Sequence, residues 1–153
     1  MMRKAAFFMT AVMLLGISTA RSEPTYRMAD LLPNIERMLR SKAIDAFFVV
    51  EVAESPDFIQ IYGSDGKAYL NFPMFTPRQE SHRADAVRMC AELSLTVTVN
   101  QLPNGAENLD CALPQSAKDI AAIVRKFLER LYSADEGTPL ELEANGFELT
   151  AAI

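Results

Sequence analysis

Residues 78–85, Arg-Gln-Glu-Ser-His-Arg-Ala-Asp, gather the side-chain types that do acid–base and nucleophilic chemistry: His82, the one histidine of the chain, beside Ser81 and between Glu80 and Asp85. A serine nucleophile needs an imidazole within hydrogen-bond reach of its hydroxyl. Neighbouring residues of a helix point in different directions, so Ser81 and His82 cannot pair by adjacency. A solvated helix face accounts for this segment more simply than a general base. Cys90 and Cys111 lack metal-site spacing, and there is no second histidine to join them. Gly63-Ser-Asp-Gly66 has too little glycine for a phosphate loop and lies between two strand-like runs, not between a strand and a helix. Asp57, Asp65, Glu107 and Asp110 fall at turns or strand edges, where carboxylates serve solubility. The sequence therefore points to no catalytic residue, no metal and no cofactor, and the expected function is non-enzymatic and carried by surfaces.

The chain must first be placed. Met1–Ala20 joins a basic start, Arg3 and Lys4, to an apolar run from Ala5 to Ile17 and then to the small residues Ser18 and Ala20. This is the pattern of a secretory signal peptide, too short to span a bilayer, and it implies a periplasmic or secreted protein with no stable membrane insertion after cleavage. Removing residues 1–20 leaves 133 of the 153, enough for one domain, and the loss of Arg3 and Lys4 takes the net charge from −5 to −7. An acidic surface argues against nucleic acid and anionic lipid as partners. Residues 21–27 read as a flexible lead-in and 28–150 as a single domain. In an oxidising compartment Cys90 and Cys111 would suit a disulfide, and two buried free thiols are an equal alternative. A bridge needs the middle helix folded back over the hairpin that carries Cys111, with Cα atoms within about 7 Å.

The elements follow from periodicity. Met28, Leu31, Leu32, Ile35, Met38 and Leu39 recur at helical spacing, with Pro33 opening or kinking that helix. Three strand-like runs over residues 46–72 are separated by Ser55-Pro56 and by Gly63–Gly66. A register with Ser64-Asp65 at one tip sets Ile61 opposite Ala68, and Glu54 opposite Asp57 sets Val50 opposite Ile61. Thr76-Pro77 with Gln79 spells a capping box for a second helix, with Ala84, Val87, Cys90 and Ala91 as its apolar stripe. Leu93, Leu95, Val97 and Val99 alternate as a strand that pairs with a run holding Leu109, Cys111 and Leu113, placing Val97 opposite Cys111. Ser116 caps a third helix with Ile120, Ile123, Val124, Phe127 and Leu131 inward, and residues 138–149 read as a small hairpin or packed tail. The expected fold is α+β, an antiparallel meander sheet of about five strands with three helices against it in the order α-β-β-β-α-β-β-α.

Alternation sorts the strands into two faces. Phe48, Val50, Val52, Ile59, Ile61, Ala68, Leu70 and Phe72 form a core face under the helices. The other carries Phe47, Val49, Phe58, Tyr62 and Tyr69 among Glu51, Gln60, Lys67 and Asn71. That second face is wetter, yet more aromatic than an idle surface needs. Phe47, Phe58, Tyr62 and Tyr69 are the candidate anchors for a partner segment, with Gln60 offering a hydrogen bond among them.

The order of elements, with Phe58-Ile59-Gln60, Tyr132 and Pro139-Leu140-Glu141-Leu142, resembles the peptide-binding chaperone fold shared by type III secretion chaperones and YbjN-like proteins. The likeness spans about Leu31 to Phe147. The chain departs from this group in lacking the Trp that members often carry in the strand after the middle helix, and its leader sets it apart from cytosolic secretion chaperones and closer to an exported YbjN-like module. The resemblance implies a homodimer-prone, chaperone-like domain that binds a protein or peptide segment. Alternatives are an exported structural or stress-related accessory domain without a peptide ligand, and an immunity-type inhibitor of a toxin.

Overall fold

The computed structural model describes residues 25–64 and 67–151, so the leader over 1–20 and residues 21–24 of the lead-in lie outside the described residues. The end of the lead-in is ordered. Tyr26 is buried and bridges Leu140, and the Arg27 N–H donates to the Asp30 carboxylate at 2.7 Å, opening a 3-10 turn at Met28–Asp30. The turn runs directly into α1 (Leu31–Arg40), with Leu31, Ile35 and Met38 buried and Arg37 and Arg40 in the last turn, where the helix dipole favours cations. Pro33 sits inside the first turn, where no helical bond needs the N–H it lacks.

Strands β1 (Phe47–Val52), β2 (Phe58–Ser64) and β3 (Lys67–Met74) form a meander. After them come α2 (Pro77–Ser81), α3 (Arg83–Glu92), β4 (Val97–Gln101), β5 (Glu107–Ala112), α4 (Ala117–Tyr132) and β6 (Leu140–Asn145). The fold is α+β. All six strands join one antiparallel sheet in the order β4-β5-β3-β2-β1-β6.

The sixth strand corrects the expectation of about five. The tail is no separate hairpin, because residues 140–145 pair along the whole of β1. Gly146 has φ +84°, and a Cβ there would come within 2.7 Å of the Ala43 side chain, so Asn145-Gly146 is a strand exit that glycine permits and not a hairpin tip. Beyond it the buried Asn34 amide holds the chain end: its Nδ2 donates to the Thr150 carbonyl at 2.7 Å and its Oδ1 accepts the Thr150 N–H at 2.9 Å.

Both expected registers in the meander are shifted by two residues. Ile61 lies opposite Leu70 and Phe48, not opposite Ala68 and Val50. Ser64 pairs with Lys67, and the two residues between them in sequence, Asp65-Gly66, lie outside the described residues and are a dipeptide that favours hairpins. In the first hairpin, residues 53–56 form the loop, with Glu54 at φ +61° and Val52 donating to the Asp57 carbonyl at 3.0 Å. A slip of two preserves side-chain parity, so each residue keeps its expected face.

The middle helix starts where the capping box places it: Gln79 N–H donates to Thr76 Oγ1 at 3.2 Å and Thr76 N–H to Gln79 Oε1 at 3.1 Å. It then breaks at His82 into α2 and α3, and the break turns α3 about its axis. Ala86, Met89 and Cys90 are buried, while Ala84, Val87 and Ala91 of the expected stripe are exposed. The strand expected from Leu93 begins only at Val97. Ser94, at φ +58°, ends α3 with bonds from Ser94 N–H to Ala91 and from Leu95 N–H to Cys90, a Schellman closure built on serine. α4 is capped by Ser116 and buries Ile120, Ile123, Val124, Phe127 and Leu131 as expected. Cys90 and Cys111 form a disulfide with Cα atoms 6.6 Å apart, and Val97 lies opposite Cys111.

Candidate functional site

The strands assign their alternate residues to two environments. Phe48, Val50, Ile59, Ile61, Ala68, Leu70, Phe72, Leu109 and Cys111 are buried in one cluster with the inner residues of α1, α3 and α4, while Val52, Leu95 and Val97 pack at its margin. Phe47, Phe58, Gln60, Tyr62 and Tyr69 all point to the opposite side, are half-buried, and take no part in that cluster. α1 packs on the core side and the tail lies in the plane of the sheet as β6, so neither covers this face.

The five residues sit side by side. Phe47 lies opposite Tyr62, Tyr62 opposite Tyr69, Gln60 between Val49 and Asn71, and Phe58 across from Glu51. Backbone bonds from Val52 to Asp57 and from Gly63 to Ala46 fix the phase of the β1–β2 ladder. They put Phe47/Tyr62 and Glu51/Phe58 in its non-hydrogen-bonded positions, where side chains approach closest. Tyr62 and Tyr69 stack with ring centroids 5.3 Å apart at 21°.

One residue of this face was missed by sequence reasoning. Asp110 on β5 accepts from Tyr62 Oη at 2.8 Å, from Asn71 Nδ2 at 2.7 Å and from Asn100 Nδ2, joining β2, β3, β5 and β4 through one carboxylate. Its signal was legible: Leu109 and Cys111 face the core, so Asp110 between them must face the same way as Tyr62. Burial, and then the Asp110 charge, push the Tyr62 hydroxyl well above the ordinary tyrosine range, so it is a fixed donor. Asn108, two residues away, has its Oδ1 buried without a hydrogen-bond partner. At the other end, Glu51 lies beside Glu141 and Glu143, and burial followed by these two charges raises its carboxyl above the usual range. The open face thus runs from an acidic end at β6, through an aromatic middle, to a polar end at β5 and β4.

The residues with chemical potential in the sequence lie elsewhere. Ser81 Oγ donates to the Arg78 carbonyl at 2.6 Å, and the His82 ring meets Tyr132 edge-on at 5.4 Å. Asp57 is buried and bound by both Arg78 Nε and Nη2 at 2.9 and 2.7 Å, which holds its carboxyl below the usual range. Tyr132 Oη donates to the Phe58 carbonyl at 3.0 Å. Among the described residues, no group of three or more His, Cys, Asp or Glu is placed to hold a metal ion. A groove of about 570 Å³ lies by the end of α1, with Met38, Ile44, Ala46 and Ala68 in its lining and Lys67 as the one charge among the described residues there. No set of polar groups converges there. No helix of the described residues is long and apolar enough to cross a membrane.

No family model matches the chain, and no curated protein or solved structure shows significant similarity to it.

Proposed function

We propose that this chain is a non-enzymatic, exported binding module that holds an extended or amphipathic segment of a partner protein on its open sheet face. One observation carries the reading: Phe47, Phe58, Gln60, Tyr62 and Tyr69 stand together on the sheet face that no described helix covers. An antiparallel sheet can leave one face to water, but such a face is ordinarily polar. Aromatic anchors with a few fixed hydrogen-bonding groups are what a protein-binding surface requires. Export rests on the leader pattern of residues 1–20, and the Cys90–Cys111 disulfide suits a periplasmic or extracellular address. The resemblance to type III secretion chaperones and YbjN-like proteins points to the same activity. Glu51, Glu141 and Glu143 favour a segment with a basic residue at the end that lies toward β6.

The test is a displayed library of short peptides selected on the purified protein, with counter-selection on a Phe58→Ser/Tyr69→Ser variant. The reading expects peptides that bind the wild type and lose about tenfold or more in affinity for the variant. Peptides that bind both alike, or none at all, would refute it.

A further inference from the structure

The two edges of the sheet are finished differently. At β6 the first residue is bridged by Tyr26, through Tyr26 N–H to Leu140 O at 3.2 Å and Leu140 N–H to Tyr26 O at 2.9 Å, and the strand carries Glu141 and Glu143. Charges and a covering segment are the usual protections of an edge. β4 has neither. Its sequence, Val97-Thr98-Val99-Asn100-Gln101, holds no charge and no proline, and Val99 is 46% exposed.

The hydrogen-bond phase shows what this edge offers. Ala112 N–H donates to Thr96 O at 2.9 Å and Leu102 N–H to Ala106 O at 2.8 Å, so the even residues of this strand face β5. The N–H and C=O groups of Val97, Val99 and Gln101 therefore point off the end of the sheet. On the helix side the charges near this edge are paired, and on the open side the one carboxylate beside it among the described residues, Asp110, is taken up by Tyr62, Asn71 and Asn100. Arg83 is paired with Glu107, Asp85 with Arg88 at 2.7 Å and Glu92 with Arg130 at 2.6 Å. Around α3, Cys90 and Arg83 face β5 while Glu92 turns toward α4. The exposed side of Val87 and Ala91 therefore follows on the flank away from α4, beside β4.

We propose that β4 is the interface through which two copies of this chain pair, antiparallel and two-fold about Val99. In that register Val99 meets its own copy and Val97 meets Gln101. All three residues then donate and accept once, so no outward group of the strand is left over. Thr98 comes to lie beside Asn100 of the copy, and Val99 and Val87 of both chains form an apolar strip over the junction. The argument for a copy is that no charged side chain stands on this strand, so two copies meet here without the like charges that Glu141 and Glu143 would set against each other at β6. The dyad stands perpendicular to the sheet, so both helix layers lie on one side and both open faces on the other. The inference is independent of the proposed partner face, which lies on β1 to β3.

Sedimentation equilibrium of the wild type, Val99→Lys and Val99→Pro at about 100 μM tests it. Lysine sets two like charges across the dyad about 5.5 Å apart at Cα, and proline removes an N–H that no bond inside the chain uses. Far-UV circular dichroism checks that each variant keeps the fold. The expected result is twice the chain mass for the wild type and the single-chain mass for both folded variants. A wild type at the single-chain mass, or both folded variants at twice it, would overturn the proposal.

Discussion

The two faces of the sheet are made from alternate residues of the same strands, yet they are completed in opposite ways. On the covered side Phe48, Ile59, Ile61 and Leu70 are fully buried against α1, α3 and α4, and a disulfide fastens α3 to β5. On the open side Phe47, Phe58, Tyr62 and Tyr69 are half-buried, Tyr62 stacks on Tyr69, and a polar hub at Asp110 ties β2, β3, β4 and β5 together. Under the proposed function the difference separates two duties. Residues of the covered face should govern stability, and residues of the open face should govern what the protein holds.

Truncation on the covered face should have the largest effect. Phe48→Ala removes a side chain with no exposure from the centre of the sheet and should cost about 3–5 kcal/mol of unfolding free energy by urea titration. Replacing Cys90 and Cys111 together by Ala frees a bridge between residues 21 apart and should cost about 3 kcal/mol, with the loss reproduced by reducing the wild type. Asp110→Ala on the open face strips three donors of their acceptor. Because these groups are only half-buried and water can replace it in part, about 1–2 kcal/mol is expected. A loss as large as that of Phe48→Ala would show that the open face also carries the fold.

The two faces should also part company in acid. Asp57, on the covered side, has a depressed pKa because Arg78 grips its carboxylate. Its contribution is complete above the ordinary value of 3.8 and is lost as pH falls through the lower folded value. Glu51, on the open side, has a raised pKa from burial and from Glu141 and Glu143. The fold favours its protonated form, so stability declines as pH rises from the ordinary value of 4.5 through the higher folded one. Glu51→Gln should therefore stabilise the protein at neutral pH, by a few tenths of a kcal/mol after solvent screening, and have no effect near pH 3. Thermal melts across pH check both signs.

How far the sequence revealed this arrangement depends on which physical signal was at work. Alternation between Phe47 and Phe72 assigned each residue to its face, since parity survives a register slip of two. The turns set the register itself, and Asp65-Gly66 outweighed the placement of Ser64-Asp65 at the tip. The capping box at Thr76 located a helix start, but nothing local announced the break at His82, and so the stripe through Ala84 and Val87 was placed on the wrong side of α3. β6 escaped because its partner, β1, lies about ninety residues earlier, and a weakly alternating tail carries no mark of so distant a pairing. The five aromatic-face residues were legible together. For Asp110 the face was legible from Leu109 and Cys111 but the role was not, because a lone carboxylate in a strand reads as a solubility residue until three donors converge on it.

The central claim is most directly tested by measuring the melting temperature and the affinity for a selected peptide on the same preparations of wild type and Phe58→Ser/Tyr69→Ser. Half-buried side chains outside the core should cost under about 1 kcal/mol each, a shift of a few degrees, while peptide affinity falls tenfold or more. A collapse of the melting temperature comparable to that of Phe48→Ala, or an affinity unchanged in the folded variant, would contradict the assignment of this face to binding.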